Sequence, residues 1–447
     1  MKFNIPSYVK NVIEKLEEKN YEAFVVGGSI RDLILGRAPS DFDVTTNARP
    51  EEIEEVFQEY KTLSVGKAFG TIIVVQKEGN LEVTTYRVEG EYLDGRRPSE
   101  VMFSNHLVED LKRRDFTVNA MAYNANTGLV DPFQGREDLQ EKRIKSVGNP
   151  KERFEEDHLR ILRAVRFAVQ LGFTIEVNTY RACKDMGYLL QKISMERIRE
   201  ELFKILLSEK PSYGLNLLKD LDLLKVILPE LVDTIGFEQH NPHHDKDVFD
   251  HILCVVDHSP PILEVRLAAL LHDIGKPDTF SQDKEGIGHF YGHDKVGAEK
   301  AKKILQRLKC PNELIYSVAI LIREHMTQYA NYKDKGLKRL IKRVGKDRIF
   351  QLITLQKSDR ICSAGEIKMD VLTQREKEIR RILESAEAYE KSQLKINGKD
   401  LIQLGYVPGK IIGEILDDLL EQVIDHPQLN DKEKLLQIAR KKFRKNS

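Results

Sequence analysis

Residues 27–46 read GGSIRDLILGRAPSDFDVTT, and this stretch decides the fold. It follows a short apolar run, Ala23-Phe24-Val25-Val26, of strand length. Gly27-Gly28-Ser29 breaks the run and opens a short helix, predicted over Ile30 to Leu35. Backbone N–H groups at such a helix start are a ready phosphate cradle. Arg31 adds a charged donor for a triphosphate. Gly36 turns the chain into a second predicted strand, Phe42 to Thr45. Period-2 alternation through Asp41-Phe42-Asp43 puts both carboxylates on one face. Such a pair can hold divalent cations through oxygen, and two such ions can activate an attacking hydroxyl and stabilise a leaving phosphate. An isolated Asp-x-Asp is more often a solvated strand edge, and an isolated Gly-Gly an ordinary turn. Together they supply metal ligands and a phosphate site within 17 residues.

Around this stretch the N-terminal part mixes element types. A helix is predicted from Val9 to Lys19, and strands from Gly70 to Gln76 and from Leu81 to Tyr86. From about 148 to 240 the periodicity is helical, as in Leu159, Leu162, Val165 and Phe167. Of 12 histidines, nine lie between His240 and His325, which marks a separate unit with its own chemistry. A charged helix is predicted from Gln374 to Lys391, then loop signals at Asn397-Gly398 and Pro408-Gly409. The 447 residues exceed one compact core, so two to four domains are expected. No apolar run approaches the ~20 residues of a membrane span. The N-terminus has no apolar stretch of signal-peptide length. Four scattered cysteines, Cys183, Cys254, Cys310 and Cys362, with no CxxC pair, fit reduced thiols in the cytoplasm. Lys+Arg and Asp+Glu both count 71, so RNA binding would have to come from local patches. Candidates are Lys112-Arg113-Arg114, the stretch 335–348 and the tail 440–445.

The 27–46 string closely resembles the signature of the class II tRNA nucleotidyltransferases and bacterial poly(A) polymerases of the polymerase β-like superfamily. Gly27, Gly28, Arg31, Asp32, Gly36, Arg37, Asp41 and Asp43 fall on that motif. Arg113-Arg114-Asp115-Phe116-Thr117-Val118-Asn119-Ala120 resembles the second motif of the family. There Arg114 would contact the nucleotide, and Asp115 and Asn119 would shape its ribose and triphosphate end. Asp131-Pro132-Phe133, Gly135 and Leu139 match the link into a helical neck. Glu156-Asp157-His158-Leu159-Arg160, with Arg163 and Arg166, matches the nucleotide-selecting helix, and Glu196-Arg197 with Glu200-Glu201-Leu202 the last neck motif. The resemblance covers roughly residues 20 to 210. It implies Mg²⁺ at Asp41 and Asp43, ATP and CTP as substrates, tRNA as acceptor, and template-independent addition of C, C and A to the tRNA 3′ end.

A physical reason supports the choice of C and A. Asp157 and Arg160, three apart on a predicted helix, would share a face. An ionised Asp only accepts hydrogen bonds and an Arg only donates them. Cytosine and adenine present an amine donor beside a ring-nitrogen acceptor, whereas uracil and guanine present the reverse. A mismatched edge would leave buried polar groups unpaired. The charged, Gly-containing segment 89–100 resembles the flexible loop that CCA-adding members use to switch from C to A. It argues against a CC-only enzyme, while an A-adding enzyme or a poly(A) polymerase stays open as the alternative.

His272-Asp273-Ile274-Gly275 follows an apolar helix predicted from Val265 to Leu271. With His251 upstream and Asp359 downstream, it resembles the metal set of HD phosphohydrolases, and a phosphohydrolase with an RNA- or nucleotide-binding head is the rival from another class. His289 and His293 could serve a second metal or a phosphate, with His243, His244 and His325 as further candidates. Mixed His/Asp ligands leave the divalent metal unidentified. Residues 396–413 resemble the tail of HD-bearing members, whose backbone amides could touch RNA phosphates. The expected fold is α+β and multidomain: a small mixed α/β head (1–147), then all-helical neck (148–238), HD (239–365) and tail (366–447).

Overall fold

The computed structural model describes residues 2–89, 101–241, 246–364, 369–385 and 387–443. The chain divides into two compact units, 1–232 and 233–447. This is coarser than the four parts expected from sequence.

In the first unit, α1 (Ser7–Glu18), with Val9, Val12, Ile13 and Leu16 buried, leads into β1 (Ala23–Val26). All of β1 is buried, which is why it reads as an unbroken apolar run. Next come α2 (Gly28–Ile34) and β2 (Asp43–Thr46), then β3 (Lys61–Gly66), β4 (Thr71–Val75) and β5 (Asn80–Thr85). Two short strands, β6 (Ala122–Asn124) and β7 (Gly128–Val130), complete the main sheet. Its order among the described residues is β3-β4-β5-β2-β1-β6-β7. The pairings are antiparallel except that of β2 with β5, which places Asp43 opposite Glu82. The helical part of this unit includes α3 (Pro150–Glu156), α4 (Leu159–Leu171) and α5 (Met195–Leu206). Val165, Ile161, Leu162 and Ala168 of α4 are fully buried. Burial of each large aliphatic side chain is worth about 1.5–3 kcal/mol.

In the second unit, α6 (Val248–His258), α7 (Leu263–Leu271), α8 (His293–Arg307) and α9 (Asn312–Glu324) precede α10 (Asp334–Val344). Then follow α11 (Ile349–Cys362), α12 (Met369–Glu384) and α13 (Lys410–Asp425). A separate apolar cluster around Leu401, Leu419, Leu420 and Leu435 forms the core of the tail.

Three expectations need correction. The charged helix predicted over 374–391 runs instead from Met369 to Glu384, and Lys391–Gln393 form only a 3₁₀ turn. The basic stretch 335–348 is not a free RNA-binding face. Lys335, Arg339 and Lys342 of α10 pair with Asp417, Glu421 and Asp425 of α13, while Arg343 pairs with Glu324. Cys254 and Cys362 are joined as a disulfide across 108 residues of chain, so the expectation of four reduced thiols fails for this pair. Cys183 and Cys310 form no disulfide, as expected, and both are buried. No helix among the described residues is long and apolar enough to cross a membrane.

Candidate functional site

The first site is built on the turn from β1 to α2. Gly27 has φ +81°, and a Cβ there would lie 2.9 Å from Arg114 Nη1. Only glycine meets both conditions, because an L side chain is disfavoured at such a φ and would collide with the guanidinium. The same absence of Cβ lets Arg114 reach the head of α2. Arg114 is otherwise held by Asp110, at 3.4 Å, and its buried Nε has no partner among the described residues. Asp110 is fully buried and also binds Arg113 and Thr45. Burial favours its neutral form, but the two guanidiniums win and hold its carboxyl below the usual range.

Asp41 and Asp43 keep the alternation expected of them: both are exposed, and Phe42 between them is buried. Asp41 lies just before β2 rather than inside it. Loss of solvent at the strand end, then the Glu82 carboxylate and that of Asp41, push the Asp43 carboxyl up to about 6 against the pull of Arg114. A carboxylate made costly to ionise by two neighbouring carboxylates is a donor set that a divalent cation relieves. Glu82 was missed from sequence because its place beside Asp43 comes from the parallel β2–β5 pairing.

Behind the turn, Arg31 donates to Asn119 Oδ1 at 2.8 Å, and Asn119 donates to Asp115 at 3.0 Å. Arg163 of α4 donates through two nitrogens to Asp115 Oδ2. Burial would raise the Asp115 carboxyl, but Arg163 and Asn119 outweigh it and bring it to about 2. Arg166 pairs with Glu201 of α5. The guanidiniums of Arg31, Arg163 and Arg166 lie 5.3, 5.3 and 3.8 Å from the centre of the Phe167 ring. Gly28, Arg31, Arg114, Asp115, Asn119, Arg163 and Arg166 therefore belong to one connected assembly with the β1–α2 turn.

Asp157 and Arg160 do not sit on one continuous helix. The chain breaks at Asp157, which closes α3 in an extended conformation. Its Oδ1 accepts from Leu159 N–H at 3.1 Å at the start of α4, as short acidic side chains do at helix starts. Its Oδ2 accepts from Arg197 at 2.8 Å, and the buried Nη1 of Arg197 has no partner among the described residues. Arg160 donates to Glu156 and to the carbonyls of Arg153 and Arg113. Of the segment 89–100, residues 90–100 lie outside the described residues, as do His243 and His244.

The second site gathers histidines and aspartates from five segments of the second unit. His251 (α6) lies 3.0 Å from Asp359 (α11) and 3.5 Å from Asp273. His272 Nε2 lies 3.2 Å from Asp273 Oδ2 and 3.3 Å from His251 Nε2. The other oxygen, Asp273 Oδ1, faces His293 Nε2 at 3.5 Å, and His293 Nε2 is 3.2 Å from His325 Nε2. Asp273 thus joins two ligand groups, His251/His272 and His293/His325. His289 stands apart, paired with Asp283 and stacked on Tyr291. A Cβ on Gly275 would meet His293 O at 2.5 Å, so this glycine lets the turn after Asp273 press against the start of α8.

The ring orientations fit metal ligation. Nδ1 of His272, His293 and His325 lies 2.8, 2.7 and 2.5 Å from the carbonyl three residues before each. A carbonyl can only accept, so Nδ1 carries a proton, and in the neutral ring each Nε2 then presents a lone pair to the cluster. Burial lowers the His272 pKa, but Asp273 and Asp359 raise it further and win. Burial, with His293 and His272, brings His325 down to about 4. Lys276 and Gln328, not anticipated, hold Asp273 at 2.7 Å and Asp359 at 2.6 Å.

Three family models match the chain. Residues 23–145 match the Poly A polymerase head domain, residues 172–234 the RNA and SrmB-binding site of polymerase A, and residues 279–439 the tRNA nucleotidyltransferase domain 2. The CCA-adding enzyme of Ligilactobacillus salivarius is 34% identical over 98% of both chains. That of Levilactobacillus brevis is 34% identical over 95% of both. The crystal structure of the Bacillus stearothermophilus CCA-adding enzyme in complex with CTP superposes with a TM-score of 0.74, at 27% identity over 99% of both chains. With its carboxylates at the β1–α2 turn and its kinship running end to end, the chain belongs to the CCA-adding enzyme family and is a nucleotidyltransferase.

Proposed function

We propose that the protein adds C, C and A, without a nucleic-acid template, to the 3′ end of tRNA from CTP and ATP. The observation that carries this reading is the convergence of Asp41, Asp43 and Glu82 with Arg114 on the Gly27-Gly28 turn. Asp41 and Asp43, with Glu82 beside them, would hold Mg²⁺, which supplies activation of the tRNA 3′-hydroxyl and charge neutralisation at the α-phosphate. The amides at the head of α2, with Arg31 and Arg114, orient the triphosphate. Asp115 and Asn119 fix Arg31 and Arg163 around it. Asp157 accepts from the exocyclic amine of C or A. The complementary donor is Arg160, once turned from Glu156, and the unpartnered Nη1 of Arg197 stands ready beside it. The neck and tail hold tRNA mainly through its shape and backbone.

The test is nucleotide addition to tRNA ending before CCA, with CTP alone, ATP alone and both together. Complete ends formed only with both nucleotides support the reading. Addition of A to an unprimed end, or of long A runs, would replace it with an A-adding or poly(A) activity.

A second reading rests on the buried cluster of His251, His272, Asp273, His293, His325 and Asp359. We infer that this unit is an HD domain, holds divalent transition metal and hydrolyses phosphoesters, with damaged or cyclic-phosphate tRNA ends as the substrate class. The Nε2 atoms of His272, His293 and His325 face inward, and Asp273 offers one oxygen to each histidine pair. Hydrolysis of a 2′,3′-cyclic phosphate that requires added metal and disappears in Asp273→Ala supports it.

A further inference from the structure

One to two turns beyond the cluster residues His251 and Asp359, the same two helices bring a different donor set together. Cys254 and His258 lie on α6, and Cys362 ends α11. His258 Nδ1 lies 3.6 Å from Cys254 Sγ and 3.5 Å from Cys362 Sγ. The two Cα atoms are 5.8 Å apart. Cys362 is buried, Cys254 half-buried and His258 exposed.

Those nitrogen–sulfur distances have a simple meaning. A tetrahedral Zn²⁺ with Zn–S of about 2.3 Å and Zn–N of about 2.05 Å sets its N and S ligands about 3.6 Å apart. The imidazole is thus already at the ligand–ligand distance of a shared ion from each sulfur. The sulfurs need only part, by rotation about their own Cα–Cβ bonds, to about 3.8 Å. His258 Nδ1 also lies 2.9 Å from the Cys254 carbonyl, a hydrogen bond that ligation exchanges for the metal.

We propose that Cys254, Cys362 and His258 form a redox-gated site for a thiophilic ion of the Zn²⁺ class, bound by the reduced pair and released by the disulfide. The gating step is ordinary thiol–disulfide exchange. Cys254 thiolate attacks a small disulfide and expels one thiol. Cys362 thiolate then attacks the mixed disulfide at Cys254 Sγ and expels the second. Two electrons pass to the small disulfide, and the ion loses both sulfur ligands. A dithiol reverses the sequence.

The test uses the full-length protein, reduced, freed of metal and titrated with Co²⁺. Thiolate–Co²⁺ charge-transfer absorption is expected in the near ultraviolet. The His/Asp cluster contains only nitrogen and oxygen donors and stays silent there, so its occupancy does not affect the result. The band should vanish in Cys254→Ser and Cys362→Ser, and after oxidation by glutathione disulfide with release of one equivalent of Co²⁺. It should persist in Cys183→Ser/Cys310→Ser, and His258→Ala should weaken Co²⁺ binding by more than about tenfold. No band in the reduced wild type, or a band unchanged in Cys254→Ser, overturns the proposal.

Discussion

Replacing Gly27 by alanine tests the connection between the glycine turn and Arg114. Two costs can be worked out. The backbone at Gly27 (φ +81°, ψ −136°) lies where L residues are strained, at about 1–3 kcal/mol. That cost falls on the folded state and lowers Tm by about 2–4 °C per kcal/mol. The second cost is chemical. The new Cβ would stand 2.9 Å from Arg114 Nη1, so the guanidinium must turn away from the head of α2. Losing one charge-assisted hydrogen bond there costs about 1.5–3 kcal/mol. If the bond is made to the reacting phosphates, kcat/KM falls roughly 10- to 150-fold. The assay is the initial rate of CTP incorporation into tRNA ending before CCA, at subsaturating CTP, beside a thermal melt. The decisive comparison is the same substitution in an Arg114→Ala background. If alanine acts through Arg114, the second substitution adds little to the catalytic loss. A Gly27→Ala enzyme within about twofold of wild type, or losses that add fully, would refute the reasoning.

Asp41→Ala with Asp43→Ala should reduce nucleotide addition to background while hydrolysis by the second unit survives. Loss of both activities would mean that the substitutions act on folding. Asp157→Ala should raise incorporation of UTP and GTP relative to CTP and ATP, and unchanged base preference would exclude Asp157 from the choice. Asp115 should make stability acid-sensitive. Its carboxyl is held at about 2 in the folded protein, against about 3.9 in an unfolded chain. A depressed carboxylate contributes its stability above the unfolded value, here about 2–3 kcal/mol, and loses it as pH falls from about 4 through about 2. In urea unfolding the advantage of wild type over Asp115→Asn should therefore shrink between pH 5 and pH 2.5. A constant difference would count against the ion pair.

What was legible in the sequence was what the chain keeps local. The Gly27-Gly28 turn, the Asp41/Asp43 alternation and the His272-Asp273 pair each depend on neighbours a few residues away. Backbone geometry then fixes their relation. Glu82 was not legible because a strand's partner is chosen by the whole sheet, and the partner of β2 is the parallel β5. Asp157 was read as mid-helix because its flanks are helical, yet its carboxylate offers the backbone a rival hydrogen bond and starts a new helix. The ion pairs of α10 with α13 were hidden for a similar reason. A run of lysine and arginine does not say which acidic face it will meet. Cys254 and Cys362 are each unremarkable in sequence and meet only because α6 packs on α11.

His325 shows how a residue of this second kind can be recognised and tested. It follows the last turn of α9, as His272 follows that of α7. Helix ends leave carbonyls without intrahelical partners. A histidine placed there gives its Nδ1–H to a carbonyl of the last turn, Ile322 for His325 and Ala269 for His272. One bond thus fastens the ring to the helix end, fixes the tautomer and turns Nε2 inward. Burial and the neighbouring His293 and His272 bring His325 to about 4, so at neutral pH its Nε2 is free of a proton and able to ligate. Asparagine separates the two roles, because its side-chain N–H can still reach the Ile322 carbonyl but nothing replaces Nε2. His325→Asn should therefore unfold within about 1 kcal/mol of wild type in metal-free buffer. Its bound Mn²⁺ or Co²⁺ should fall, with the site shared by His293 losing its ion first. His325→Ala loses the cap as well and should be less stable than the asparagine variant. Full metal binding by His325→Asn would leave His325 as a cap alone and confine the metal to the His251, His272 and Asp359 side of Asp273.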